Sequence, residues 1–144
     1  MLAELLAEFL QRNGAKGQIA HDLAQLFRRV VFNVAVGNRD DHLRNHGFIL
    51  MRHGWRLSPT FNINPSIDRA EHTLAVDDHD HQPDIDTVLS TAALYRLTPK
   101  AAKDIVDEVR DVVGHWRSLA AKGRIARADI ELMAGAFSAL DKKI

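Results

Sequence analysis

With 144 residues, 46% of them hydrophobic and 26% charged, the chain has the length and composition of one globular domain, which excludes a collagen-like or disordered polymer. Lys and Arg together number 19 and so do Asp and Glu, for a formal net charge of zero, so no global field draws the chain to nucleic acid or an anionic membrane. No cysteine is present, which excludes disulfides and thiolate metal sites and fits a cytoplasmic location.

Leu2, Leu5, Leu6, Phe9 and Leu10 recur at helical spacing and Asn13-Gly14 supplies a stop, predicting a short amphipathic helix followed by a loop to Gln18. Glu4 and Glu8 interrupt that stretch and no basic leader precedes it, so it does not read as a signal peptide. No segment approaches the ~20 continuous apolar residues of a membrane span, so a soluble protein is expected. From Ile19, the residues Leu23, Leu26, Phe27, Val30, Val31 and Val34 repeat at threes and fours, predicting a helix with a broad buried stripe that ends near Gly37.

Phe48 to Met51 and Trp55 to Leu57 flank Arg52-His53-Gly54, where glycine can take the positive φ of a tight reversal, predicting a β-hairpin. Ser58 to His72 carries Pro59, Asn62, Asn64 and Pro65 and reads as a long ordered loop. Thr73 to Val76 reads as one more short strand, and Asp77 to Asp86 as an exposed loop. Helical periodicity returns from Ile85. Thr98-Pro99 then caps a helix expected to run through Trp116, and Asp129 to Leu140 forms the last helix. Trp55 and Trp116 read as core. No repeat or linker divides the chain, so residues 1–144 are expected to form a single domain.

The segment that carries chemistry is Gly37-Asn38-Arg39-Asp40-Asp41-His42-Leu43-Arg44-Asn45, between the long helix and the hairpin. Asp40 and Asn45 stand at the spacing at which kinase catalytic loops set an acid beside the acceptor hydroxyl and an amide oxygen on magnesium. Arg39 holds the arginine place of that motif, while Asn38 replaces its usual histidine. A hairpin and a second polar position, in Ser58-Pro59-Thr60-Phe61-Asn62, follow in the order kinases use. A polar turn with capping side chains is the bland alternative. Asp41, His42 and His46 suggest a metal site instead, but no third ligand is clearly placed. Arg28, Arg29 and Arg44 could reach phosphate, although solvated charge is the simpler reading. Asp77-Asp78-His79-Asp80-His81 reads as a solvated cluster.

Val31 through Phe48 resembles the HipA kinase signature, Trp55 to Pro59 with Phe61 to Ser66 is similar to that family's next block, and His72 to Val76 resembles its small strand. The resemblance implies a mainly α, protein-kinase-like C-lobe with a small β-hairpin after the catalytic loop. It also implies a serine/threonine kinase of toxin–antitoxin modules, restrained by a small DNA-binding, HipB-like antitoxin and acting on a protein substrate of the translation machinery. Carried onto this sequence, Asp40 matches the catalytic base, Asn45 the magnesium-binding asparagine, and Asn62 the second magnesium position, where the family has aspartate. Neutral Asn62 is a poorer partner for a hard cation, so weakened magnesium binding is expected.

No G-x-G-x-x-G occurs, and no strand lysine precedes the loop. The family's nucleotide lobe is therefore expected to be missing here, with magnesium and ATP the cofactors of the complete enzyme and neither held well by this chain alone. A kinase fragment inactive in isolation, a standalone pseudokinase that binds a partner protein, and one half of a split kinase all stay open. An uncovered apolar face would favour self-association.

Overall fold

A computed structural model describes residues 2–66 and 84–138. It is mainly helical with one two-stranded antiparallel sheet, as the periodicities predict. Helix α1 (Leu2–Asn13) buries Leu6, Ala7 and Leu10, and α2 (Ile19–Ala35) buries Leu23, Leu26, Phe27, Val30, Val31 and Val34 along one stripe. The stripe of α2 faces both α1 and α4 (Pro99–Gly114), whose Ala102, Ile105, Val106, Val109 and Val113 complete the core. Thr98 caps α4 by accepting from the Ala101 N–H at 3.1 Å, and Pro99 stands in the first turn, where its missing N–H costs nothing.

Strands β1 (Phe48–Met51) and β2 (Gly54–Leu57) pair with Ile49 opposite Arg56 and Met51 opposite Gly54. The far edge of β2 is also occupied: Ala15 N–H donates to the Trp55 carbonyl at 2.8 Å, and Lys16 N–H to that of His53 at 3.2 Å. Gly54 has φ 129° and lies so close to Ala15 that a Cβ would meet its backbone at 2.8 Å. One glycine therefore allows both the turn and its docking.

A hairpin this small needs an anchor. Asp22, buried on α2, supplies one: its carboxylate accepts from Arg56 Nε at 2.8 Å, from Arg56 Nη2 at 3.0 Å and from the Leu57 N–H at 3.1 Å. Burial by itself would raise this carboxyl, but the Arg56 hydrogen bonds, the Leu57 N–H and the Arg56 charge outweigh it and hold Asp22 below its ordinary value.

Helix α3 (Ile85–Ser90) is capped by Asp84, which accepts from the Thr87 N–H at 2.7 Å. A 3₁₀ turn, Ala92–Tyr95, follows and sets Tyr95 edge-on to Phe27 with ring centroids 5.2 Å apart. The helix expected from Thr98 through Trp116 is in fact two. Its continuation breaks at His115, whose ring Nδ1 takes the Asp111 carbonyl at 2.8 Å while its backbone N–H turns to Val112, next to the permissive Gly114. Helix α5 (Trp116–Lys122) follows. The last expected helix is also shorter: α6 (Arg127–Met133), then a 3₁₀ turn Ala136–Ser138.

Neither tryptophan enters the main core. Trp55 is half-buried against Phe9, and Trp116 stacks on Phe137 with centroids 4.4 Å apart. The strand expected over Thr73–Val76 and the acid- and histidine-rich cluster Asp77–His81 lie outside the described residues. No described helix is long and apolar enough to cross a membrane.

At the end of α2, Gly37 takes φ 64°, and a Cβ there would lie 2.5 Å from the Ala136 carbonyl oxygen. Gly37→Ala combines a left-handed backbone with a backbone clash, so a loss of about 2–3 kcal/mol in urea unfolding is expected. A loss under about 0.5 kcal/mol would show that the chain end near Ala136 moves aside freely.

Candidate functional site

The loop after α2 is shaped by a buried asparagine. Asn38 donates from its backbone to the Asn33 carbonyl at 2.9 Å and from Nδ2 to Asn33 Oδ1 at 3.3 Å, while its own Oδ1 accepts from the Asp40 N–H at 3.1 Å. Asparagine does this well because a short amide side chain can cap the backbone two residues on. The place the kinase motif gives to histidine is therefore a structural turn residue. Ser66 clamps the same loop from outside, its N–H donating to the Gly37 carbonyl and its Oγ accepting from the Arg39 N–H, each at 3.0 Å.

Asp40 stands exposed at the tip, its carboxylate paired with His42 Nε2. A 3₁₀ turn, Leu43–Asn45, then brings the chain back, and Asn45 Nδ2 donates to the Asp40 carbonyl at 2.6 Å. The Asn45 side chain thus closes the loop onto the backbone of Asp40, whose carboxylate is turned to His42. Asn62 arrives from beyond the hairpin and completes the group: its Nδ2 donates to Asn45 Oδ1 at 2.9 Å, and its Oδ1 accepts from Asn64 Nδ2 at 3.1 Å. Asn62 has φ 55°, a left-handed conformation that asparagine tolerates better than most residues. Positions 40, 45 and 62 therefore meet in one place.

What they form is a chain of amides running from Asn64 to Asn62 to Asn45 to the Asp40 carbonyl. A magnesium ion bridging nucleotide phosphates needs oxygen ligands that are free and, in part, negatively charged. Here the Oδ1 atoms of Asn45 and Asn62 each accept an N–H, both groups are neutral, and the nearby carboxylate is held by His42. This donor set does not fit that cation.

The alternative metal grouping of Asp41, His42 and His46 is split by the fold, which keeps His46 with Asp41 and turns His42 away to Asp40. His42 goes to Asp40, His46 Nε2 goes to Asp41 at 2.6 Å, and among the described residues no three His, Cys, Asp or Glu side chains are grouped to hold a metal. Arg29 corrects the expectation of a solvated charge: it is only 7% exposed and donates through Nη2 to the Ser58 carbonyl at 2.7 Å. Arg28 pairs with Glu108 on α4 at 3.0 Å, and Arg44 is exposed. Asp41 sits behind the loop, where burial would raise its carboxyl but hydrogen bonds from His46 and Asn33, with the Arg29 charge, hold it below its ordinary value.

The signal for this buried polar layer was present in the sequence. Asp22, Arg29 and Asn33 fall on the apolar stripe of α2, among residues that all become buried, and a polar group there is either satisfied or costly.

Fold and site together define a mainly helical domain whose polar loop, set between a buried helix and a hairpin, gathers an aspartate and three asparagines. The family model described as HipA-like C-terminal domain matches residues 2–116, most of the chain, and the chain belongs to that family. No curated protein matches it.

Proposed function

We propose that the chain is the catalytic-loop lobe of a HipA-like serine/threonine protein kinase in which the metal position is closed by amides, so that by itself it presents a hydroxyl-binding loop and does not transfer phosphate. The observation that carries this reading is the 2.9 Å bond from Asn62 to Asn45. It joins two positions that the family resemblance assigns to magnesium, and it does so in a loop whose Asp40 is exposed. In this reading Asp40 accepts the proton of, or simply aligns, a serine or threonine hydroxyl of a protein partner. Asn38 and Ser66 hold the loop in place for it. Magnesium, where a relative holds it, supplies charge neutralisation on the nucleotide phosphates.

The test uses the full chain labelled with ¹⁵N. Addition of magnesium and ATP to about 1 mM is expected to leave the side-chain amide signals of Asn45 and Asn62 in place, whereas saturable shifts below that concentration would contradict the reading.

A second reading, in which a separately folded nucleotide-binding lobe completes the enzyme, is favoured by one feature. Leu43, Ile49, Leu50, Met51 and Phe61 are all exposed, a run of large apolar groups along the loop, the first strand and the segment after the hairpin that another protein surface would cover. An antitoxin is an alternative occupant of the same surface.

A further inference from the structure

The buried side of the loop holds a second set of polar groups that the hydroxyl-binding reading does not use. Arg29 reaches two segments at once. Through Nη2 it donates to the Ser58 carbonyl at 2.7 Å, and through Nη1 it faces His46 Nδ1 at 3.4 Å. A guanidinium has donors only, so Nδ1 of His46 is the acceptor and the ring proton resides on Nε2. That proton is donated to Asp41 Oδ1 at 2.6 Å. The His46 side chain is 4% exposed, so no water competes strongly for either nitrogen. The order Arg29 to His46 to Asp41 therefore has a direction, and it fixes one tautomer.

The sequence positions of the groups held give this arrangement its consequence. His46 directly follows Asn45, and Ser58 begins the segment that carries Asn62. Ser58 also donates its N–H to the Gly47 carbonyl at 2.9 Å, which closes the base of the hairpin beside His46. One buried arginine on α2 thus holds both limbs of the amide chain. A lysine would serve both less well, because its donors all issue from one nitrogen, whereas Arg29 uses two.

We infer that Arg29, His46 and Asp41 are positioning residues for the Asn45–Asn62 pair: the forked guanidinium sets the separation of the two segments, and the oriented imidazole transmits that setting to the residue next to Asn45. None of the three needs to touch a substrate. The role deepens the lobe assignment above, since it says what keeps its loop in working order.

The experiment reads the chain without nucleotide or metal, so it can fail while the lobe assignment stands, and the reverse. In the wild-type chain, ¹⁵N spectra of the imidazoles are expected to show the His46 ring proton on Nε2 and an unprotonated Nδ1; a proton on Nδ1 would overturn the inference. His46→Gln keeps an acceptor for Arg29 and a donor for Asp41, and its Asn45 and Asn62 side-chain amides should retain their wild-type shifts. In His46→Leu and in Arg29→Lys those amide protons should exchange with water about tenfold faster, with the Leu23 and Val88 core signals unmoved. Equal behaviour of the Gln and Leu variants would overturn the positioning role, even if Arg29→Lys failed to fold.

Discussion

Asn62→Asp is expected to strengthen divalent-cation binding at the loop. The substitution removes the Nδ2 donor that caps Asn45 Oδ1, which frees that oxygen, and adds a negative charge beside it. Both changes act in the same direction for a hard cation. The backbone accommodates the change, because aspartate tolerates the left-handed φ of 55° almost as well as asparagine. Magnesium affinity measured by calorimetry should rise by at least about tenfold over the wild type, a gain of roughly 1.4 kcal/mol. Equal affinity in the two proteins would mean that the amide chain is not what limits the site.

The second large effect concerns the anchor of the hairpin. Asp22→Ala leaves the Arg56 guanidinium and the Leu57 N–H without the acceptor that now takes three donors. Losing one partner of a buried charge pair costs about 3–5 kcal/mol where burial is complete. The Arg56 side chain is 31% exposed, so partial solvation reduces the expected loss to about 2–3 kcal/mol in urea unfolding. Its pH dependence has a definite sign. The folded Asp22 carboxyl lies below its ordinary value, so the pair contributes fully above about pH 4, where the unfolded carboxyl is also ionised, and its contribution disappears as pH falls through the depressed folded value. The stability gap between wild type and Asp22→Ala should therefore be largest at neutral pH and shrink as the solution is acidified below about pH 4. A gap that stays constant over that range would show that Asp22 acts through packing rather than charge.

The legible part of this molecule follows from periodicity and turn chemistry. The stripes of α1, α2 and α4 and the cap at Thr98 stand where the apolar spacing and the Thr-Pro pair put them. That positions 45 and 62 come together beside the backbone of residue 40 was also readable, from the order of helix, loop, hairpin and second polar position. Long-range polar contacts were not. The place of Arg29 on the apolar stripe of α2 marks it for burial, but nothing local in the sequence names the Ser58 carbonyl as its acceptor, or says that the amides of Asn45 and Asn62 bond to each other. The break at His115 was missed for a related reason: its ring takes a carbonyl that helical spacing assigns to a backbone N–H. The tryptophans misled because size alone does not choose between the main core and a smaller aromatic cluster such as Trp116 on Phe137.

The bond between the two amides can be seen directly in solution. In the ¹⁵N- and ¹³C-labelled wild-type chain, free of metal and nucleotide, nuclear Overhauser contacts should run from the Nδ2 protons of Asn62 to the side chain of Asn45, and from those of Asn45 to the Asp40 backbone. If both amide groups instead exchange freely with solvent and show no contact with one another, the two segments do not share a site, and the loop has no claim to the chemistry proposed for it.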